Sequence, residues 1–180
     1  MPNTRNRAGT VYNPTGNPET ENYTPNYAPG ELGTTFWANQ KAYQTVQLDS
    51  GATSATPVGI VATNQLAYWK DRTVYLVTND RRLAEGGSAT ASYANKVAGR
   101  FGAAITAGYF CNIQQRGIGN LLDGGNTFAV GEFVIAEADS AAAADRLGVG
   151  SAPTYLRLGT ARGAASGGIV SVDLDIPSVE

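Results

Sequence analysis

From position 30 onward, apolar residues recur in short runs that Gly, Asn, Asp and Ser separate. The run at 169–175 places Val170, Val172 and Leu174 on one side and polar residues mostly on the other, which is the two-residue period of a half-buried strand. Many short runs at this spacing predict an all-β fold, either a small β-sandwich or a β-barrel. The predicted strands are Tyr43–Leu48, Val58–Ala62, Gln65–Trp69, Thr73–Thr78, Val97–Ala104, Tyr109–Gln115, Phe128–Ile135, Thr154–Thr160 and Gly168–Asp175.

Two segments interrupt this pattern. The stretch Ala136–Asp145 (AEADSAAAAD) contains no large apolar side chain, so we expect a loop or at most a short helix. The glycine-rich stretch Gly117–Gly125 lacks the Lys-Ser/Thr pair of a phosphate-binding loop. Leu122 stands where a dinucleotide fingerprint needs its third Gly, so we interpret the stretch as a connection between strands.

Residues 1–30 differ from the rest of the chain. They hold five of the eight prolines and six asparagines, but Val11 is their single branched aliphatic residue. Such a segment cannot bury enough apolar surface to offset the entropy of ordering it alone. We therefore predict an extended, Pro/Asn-rich N-terminal arm over 1–30 and a β-rich domain over 31–180.

The arm also carries side chains that are common in protein interfaces. Tyrosine and arginine combine a large contact area with hydrogen-bonding groups. We expect five of them to contact a partner, and we expect two arginines of the body to lie in a polar contact between subunits. The arm residues are Arg5, Arg7, Tyr12, Tyr23 and Tyr27, and the body residues are Arg81 and Arg82.

Composition narrows the chemistry. The chain has no His and a single Cys111, which excludes histidine-based triads, internal disulfides and Cys/His zinc sites. Its net charge of −2 is not typical of a nucleic-acid binder, and no apolar run approaches the length of a membrane span. We expect no enzymatic activity, no cofactor, no metal, no nucleic-acid partner and no membrane partner.

Charge is distributed unevenly along the chain. Residues 70–116 carry seven basic against three acidic side chains, whereas residues 117–180 carry three against eight. The two halves either neutralise each other within one domain or meet between copies in a head-to-tail ring.

Two further hypotheses remain open. The aromatic residues Trp37, Tyr43, Tyr68, Trp69 and Tyr75 either line a sugar-binding face or belong to the core, which is the commoner fate of aromatics in strands. A carboxylate-based glycosidase would need a pair of acids, and Glu132 or Glu137 would be the residues to replace in testing that activity.

Four segments resemble the small decoration (head cement) proteins of tailed bacteriophages. They are GELGTTFWANQKAYQTVQLDSGA at 30–52, LAYWKDRTVYLVTND at 66–80, VAGRFGAAITAGYFCNIQQRGIG at 97–119 and AVGEFVIAEAD at 129–139. The resemblance lies in an AG-x-F step, a T-x-G-x-Y step, an Ile-Gln pair and G-[DE]-x-V. The matching residues are Ala98, Gly99, Phe101, Thr106, Gly108, Tyr109, Ile113, Gln114, Gly131, Glu132 and Val134.

The resemblance implies a structural virion protein, made in the host cytoplasm and located on the outer surface of an icosahedral capsid. Its partners would be the major capsid protein and other copies of itself, as a homotrimer, and it would clamp neighbouring capsid subunits. The alternative is a tail or fibre attachment module that binds host glycans. Copy number per particle separates the two, because a cement protein is present in hundreds of copies.

Overall fold

The computed structural model describes residues 18, 22–23, 32–50, 60–61, 63–86, 96–123, 127–136, 144–146 and 156–177, with 22–23, 60–61 and 144–146 as backbone only. These residues form an all-β fold without a long helix, as the pattern of apolar runs predicts. The strands are β1 (Asn22–Tyr23), β2 (Thr35–Ala38), β3 (Lys41–Leu48), β4 (Ile60–Val61), β5 (Leu66–Asp71), β6 (Leu76–Thr78), β7 (Val97–Phe101), β8 (Ile105–Thr106), β9 (Phe110–Leu122), β10 (Phe133–Ala136), β11 (Ala144–Arg146), β12 (Gly159–Ala161) and β13 (Ile169–Asp175).

Five strands close into a small barrel. Around the ring, β9 pairs with β7, β7 with β5, β5 with β6, β6 with β3, and β3 with β9 again. The pair of β3 and β6 is parallel and the other four pairs are antiparallel. Closure leaves these five strands without a free edge over the paired residues, which protects a small sheet from pairing with other chains.

Alternate side chains from all five strands fill the barrel. Trp69 of β5 and Phe101 of β7 are the largest, and both are almost fully buried. At one end the filling is polar, because Gln115 Nε2 donates to Gln44 Oε1 at 2.7 Å and to Ala98 O at 3.1 Å. The amide nitrogen of Gln115 and the amide oxygen of Gln44 thus have partners in the interior.

The second half of β9 leaves the barrel and joins a second group of strands. Seven residues of β13 pair with Arg116–Leu122 in antiparallel register, and β12, β10 and β11 follow in that order. Leu121, Val172 and Leu174 pack here against Leu66 and Tyr68, which point outward from the barrel wall. The fold therefore contains two cores that share the strands of one wall.

Gly117 marks the point where β9 changes partners. Its φ is +83°, a conformation that glycine adopts without strain, and a Cβ there would lie 2.5 Å from Gln40 O. The prediction that 117–125 is a connection is therefore wrong for 117–122, which continue the strand. The left-handed conformation of Gly117 is accommodated inside the strand, where it bends β9 from the barrel toward the second group of strands.

Several other sequence predictions need correction. Among the described residues, the predicted strands over 128–135 and 154–160 begin only at Phe133 and Gly159. The segment 73–78 is not one strand, because Arg72–Val74 form a short 3-10 helix and Tyr75 has φ +54°, so that β6 begins at Leu76. Asp71 caps this turn by accepting from Thr73 N at 2.9 Å and from Thr73 Oγ1 at 2.6 Å. Local side-chain bonding of this kind competes with the strand ladder.

The alanine-rich stretch Ala136–Asp145 is expected from the sequence to form a loop or a short helix, but both of its ends lie in strands. Ala136 ends β10 and Ala144–Asp145 belong to β11, while 137–143 lie outside the described residues. Alanine has little preference for strands, but pairing with β10 overrides that local preference.

Candidate interaction site

The described part of the N-terminal arm lies against the body of the same chain. Pro18 is buried, and its carbonyl accepts from Asn112 Nδ2 at 3.2 Å. Thr45 Oγ1 in turn donates to Asn112 Oδ1 at 3.0 Å, so that β3, β9 and the arm are linked by one chain of hydrogen bonds. Asn22 and Tyr23 then pair with Cys111 and Phe110 of β9. The arm is therefore attached to the outer wall of the barrel.

The structure describes little of the arm residues that are predicted to contact a partner. Arg5, Arg7, Tyr12 and Tyr27 lie outside the described residues. For Tyr23 the structure describes the backbone, which pairs with Phe110. Partner contact by these five residues stays a prediction.

Arg81 and Arg82 form a short 3-10 turn with Leu83. Asp80 caps it, because one carboxylate oxygen accepts from Arg82 N at 2.9 Å. The same carboxylate accepts from Arg82 Nε at 2.9 and 3.0 Å and forms an ion pair with Arg82 Nη2. The hydrogen bond from the Arg82 side chain, with the nearby backbone bond and charges, holds the pKa of Asp80 below its usual range.

The structure thus gives Arg82 a role within its own chain. It neutralises a carboxylate that is almost fully buried, while its own side chain is 62% exposed. Burial of an unpaired carboxylate is costly, so the pair stabilises the turn. The predicted contact of Arg81 and Arg82 with another subunit is not tested by this geometry.

Other basic side chains of 70–116 form ion pairs with nearby acids. Lys70 Nζ lies 2.7 Å from Asp49 Oδ2, and Arg72 Nε lies 3.1 Å from Glu85 Oε2, with Lys96 Nζ at 3.8 Å. One pair joins the basic segment to the acidic one, since Arg116 Nε lies 3.4 Å from Asp175 Oδ1. Part of the charge imbalance is therefore neutralised inside the domain.

The aromatic residues considered for a sugar-binding face do not lie together on the surface. Tyr43, Tyr68 and Trp69 are at most 1% exposed and belong to the interior. Tyr75 packs edge-on against Trp69, with ring centroids 6.4 Å apart. Trp37 alone of the five is strongly exposed, at 64%. The hypothesis of a five-residue aromatic platform is wrong, because strand alternation directs most of these rings inward.

The thiol of Cys111 and the carboxylate of Glu132, the candidates for reactive groups, both have structural roles. Burial raises the pKa of the Cys111 thiol to about 12, which leaves it protonated and unreactive. Glu132 accepts from Ala129 N at 2.8 Å and closes the turn before β10, whereas Glu137 lies outside the described residues. The described part of the chain holds no group of acids and thiols suited to a metal ion. It also holds no helix with the length and hydropathy to cross a membrane.

Among the residues that carry the resemblance, Phe101, Ile113 and Gln114 lie in or beside the barrel, whereas Val134 belongs to the second core. Gln114 Nε2 donates to the carbonyls of Arg116, Gly117 and Ile118 at 2.9 to 3.2 Å, which stabilises the bend of β9. Phe101 and Ile113 pair across β7 and β9 and fill the barrel. These three side chains act within the fold, so sequence reasoning could not assign surface contacts from them.

A polar groove lies beside the second half of β9, and sequence reasoning missed it. Its volume is about 430 Å³. Its walls are formed by residues that come from four separate parts of the chain: Lys41, Thr63, Asn64, Arg100, Gly102, Ile118, Gly119 and Asn120. No local motif joins these residues, so the fold alone brings them together.

The fold and these surfaces define an all-β protein with a closed barrel, a side sheet and an attached arm. No protein-family model matches the sequence, and no curated protein matches it. Among solved structures, the chain is similar to the N base of the head fiber gp8.5 of bacteriophage phi29, with 14% identity and a TM-score of 0.44. The match covers 78% of this chain and 98% of that one.

Proposed function

We propose that this chain is a structural virion protein that binds the outer surface of an icosahedral phage capsid and clamps neighbouring major capsid subunits, as a homotrimer. In this proposal it requires no cofactor and catalyses no reaction. Support comes from the segments that resemble decoration proteins and, in the structure, from one observation above all. This observation is the attachment of the arm to the barrel wall at Pro18 and β1.

The attachment gives the arm a fixed starting point. Seventeen residues precede Pro18 and include Arg5, Arg7 and Tyr12. Fully extended, such a segment spans at most about 60 Å, which is enough to reach a neighbouring subunit. A contact made there adds to the contacts of the body on the same particle, and linked contacts raise the overall affinity well above that of either one.

The edge of the sheet at β2 suits contact between copies. Among the described strands, β2 lies at the end of the strand order and pairs with β3 alone. Trp37 on this strand is 64% exposed, and tryptophan is enriched in protein interfaces. We place Trp37 in the contact between subunits of the trimer.

Deletion of residues 2–17 tests the arm while keeping its attachment. We expect the variant to fold, because Pro18 and β1 remain, and to occupy heads of its own virus at a small fraction of the wild-type level. Occupancy is measured by quantitative gel analysis and electron microscopy of heads prepared without the protein. A variant with residues 2–17 in scrambled order is the matched control for length and composition. Full occupancy by the deletion variant would refute the clamp.

The trimer has its own test. Light scattering after size-exclusion chromatography should give three times the chain mass for wild type on its own, or a gain of three times the chain mass when wild type binds capsid hexamers. Trp37→Ala should shift the population toward monomer, whereas Val74→Ala, at a residue that is also exposed, should not. A monomer under both conditions would contradict the homotrimer and leave the capsid role standing.

The alternative function, a tail or fibre module that binds host glycans, receives less support from the structure. Three of the five aromatics that would have formed its platform are in the interior. Mass spectrometry of purified particles separates the two functions, because a tail module is present in few copies and a cement protein in hundreds.

A further inference from the structure

Among the described residues that line it, the groove beside β9 has basic and amide side chains and no carboxylate. Lys41 stands at the start of β3 and Arg100 lies on β7, and both contribute to the lining together with Asn64 and Asn120. Two cations in one concave site produce a local positive potential, which the low-dielectric walls strengthen. The groove therefore favours a ligand that carries negative charge.

Arg100 is held in place within this site. Arg100 is only 3% exposed. Its Nε donates to Gln114 Oε1 at 2.7 Å, and its Nη1 donates to Asn64 Oδ1 at 3.3 Å. Gly119 makes room for the guanidinium, because a Cβ at that position would lie 2.5 Å from Arg100 Nε. A cation that is already oriented loses little conformational entropy when a ligand arrives.

One edge of β9 borders the groove. From Ile118 to Leu122 the strand pairs with β13 on one side, and no other described strand pairs with these residues. On the side toward Asn64, Leu122 N donates to Asn64 O at 3.1 Å, and Ile118 O accepts from Gln114 Nε2. Since backbone groups alternate sides along a strand, the N–H and C=O of Asn120 also point to this side. An extended backbone can hydrogen-bond there, as in strand addition.

We propose that the groove binds a short acidic segment of a partner protein. A carboxylate of the segment contacts Lys41 and Arg100, and its backbone runs along β9 at Asn120. The volume of about 430 Å³ lies within the range of ligand pockets and accommodates a short segment. The chemistry of the groove does not depend on the capsid role, so the inference and the proposed function can fail separately.

Nuclear magnetic resonance of the ¹⁵N-labelled chain tests the site directly. The probes are an acetylated, amidated Glu-Val-Glu peptide and its Gln-Val-Gln analogue. We expect saturable shifts at the amides of Gly102, Ile118, Gly119 and Asn120 with the acidic peptide, and binding about tenfold weaker or worse with the analogue, because ionic hydrogen bonds are lost. Equal shifts with both peptides, or none with either, would overturn the proposal. Tighter binding of glucuronate at the same amides would also overturn it, in favour of an acidic sugar.

Substitutions test whether the positive charge that binds the acidic peptide is the one in the groove. Lys41→Gln should weaken binding of the acidic peptide several-fold, whereas Arg162→Gln removes the same charge from an exposed residue after β12 and should not. Asp173 lies opposite Ile118 on β13, so Asp173→Asn should strengthen binding by removing a nearby negative charge. Equal weakening by Lys41→Gln and Arg162→Gln would mean non-specific attraction and would refute the site.

Discussion

The two cores of the fold are built differently although they share strands. The barrel core is enclosed by five strands and contains the aromatic rings of Trp69 and Phe101, with a pair of glutamines at one end. The second core lies between the outside of the barrel and the C-terminal strands, and its members are mostly aliphatic. The barrel core is enclosed by a closed ring of paired strands. The second core is enclosed because the C-terminal strands pack against the barrel wall.

Strand β5 shows what this difference means. Leu66 and Tyr68 point into the second core, while Ala67 and Trp69 point into the barrel. The sequence LAYW is apolar without alternation because both faces of the strand are buried, a pattern known from sheets covered on both sides. We therefore expect the two cores to unfold together, and the following experiments test or refine that expectation, beginning with the largest effect.

The barrel core should be the more sensitive one to loss of an aromatic ring. Trp69→Ala removes a side chain that is 1% exposed, and we expect a loss of about 3–5 kcal/mol in the free energy of unfolding. Urea denaturation followed by circular dichroism measures it. The matched control is Trp37→Ala, which changes an exposed ring and should cost no more than about 0.5 kcal/mol in the monomer. Similar losses for both would refute the assignment of Trp69 to the core.

Loss of a side chain from the second core should lower the free energy of unfolding somewhat less, and both cores should unfold in one transition. Leu121 is fully buried, and Leu121→Ala should cost about 3 kcal/mol. Leu83→Ala, at a residue that is 39% exposed, is the control. Fluorescence of buried Trp69 and circular dichroism should give coincident unfolding curves. Two separated transitions would show that the cores are independent units.

The bend of β9 between the two cores can be tested at Gly117. Gly117→Ala places a Cβ at positive φ and against Gln40 O, and we expect a loss of about 1–3 kcal/mol in thermal or urea unfolding. Gly163→Ala is the matched control, because its φ is not in the left-handed region and no atom lies within 4 Å of the added Cβ. If the two variants were equally stable, the bend would not depend on glycine.

The smallest effect should come from the turn that leads into the second core. Asp80 and Arg82 hold the turn before Ala84, which is buried in that core. Because the folded pKa of Asp80 is lowered, its contribution to stability is present above the unfolded pKa of about 4 and is lost as the pH falls through the folded value.

Arg82→Gln should therefore lower the melting temperature at neutral pH, and the difference from wild type should shrink in acid. Calorimetry over a pH series measures this change. Arg162→Gln, which removes an exposed charge elsewhere, should show no such pH dependence. A constant difference between Arg82→Gln and wild type at all pH values would contradict the role of the ion pair.

The sequence carries enough information for the fold class, since strand periodicity is local. Most predicted strands are present, and runs such as LAYW and IVSVDLD fall in β5 and β13. Strand β2 was missed because it has four residues and ends at a turn formed by Asn39 and Gln40, both at positive φ. Asn at the first position of such a turn was the available signal, but Gln at the second is uncommon.

Closure of the barrel and the groove could not be predicted in the same way. The ring depends on the pairing of β3 with β6 and β9, which are separated by tens of residues. Lys41, Asn64 and Arg100 likewise have no common spacing, and the bend at Gly117 brings β9 past them. The Asp80–Arg82 pair, in contrast, is local, and an acid before two arginines is a readable signal of a capped turn.

Strand β9 also determines when the chain can fold. It pairs with strands that begin at positions 22, 41, 97 and 169, so its partners come from nearly the whole length of the chain. Contacts between such distant segments slow folding, because long loops must close before they are made. During synthesis the barrel strands emerge from the ribosome long before β13. We therefore expect the second core to assemble only after β13 has emerged, with the outer wall of the barrel open to chaperones until then.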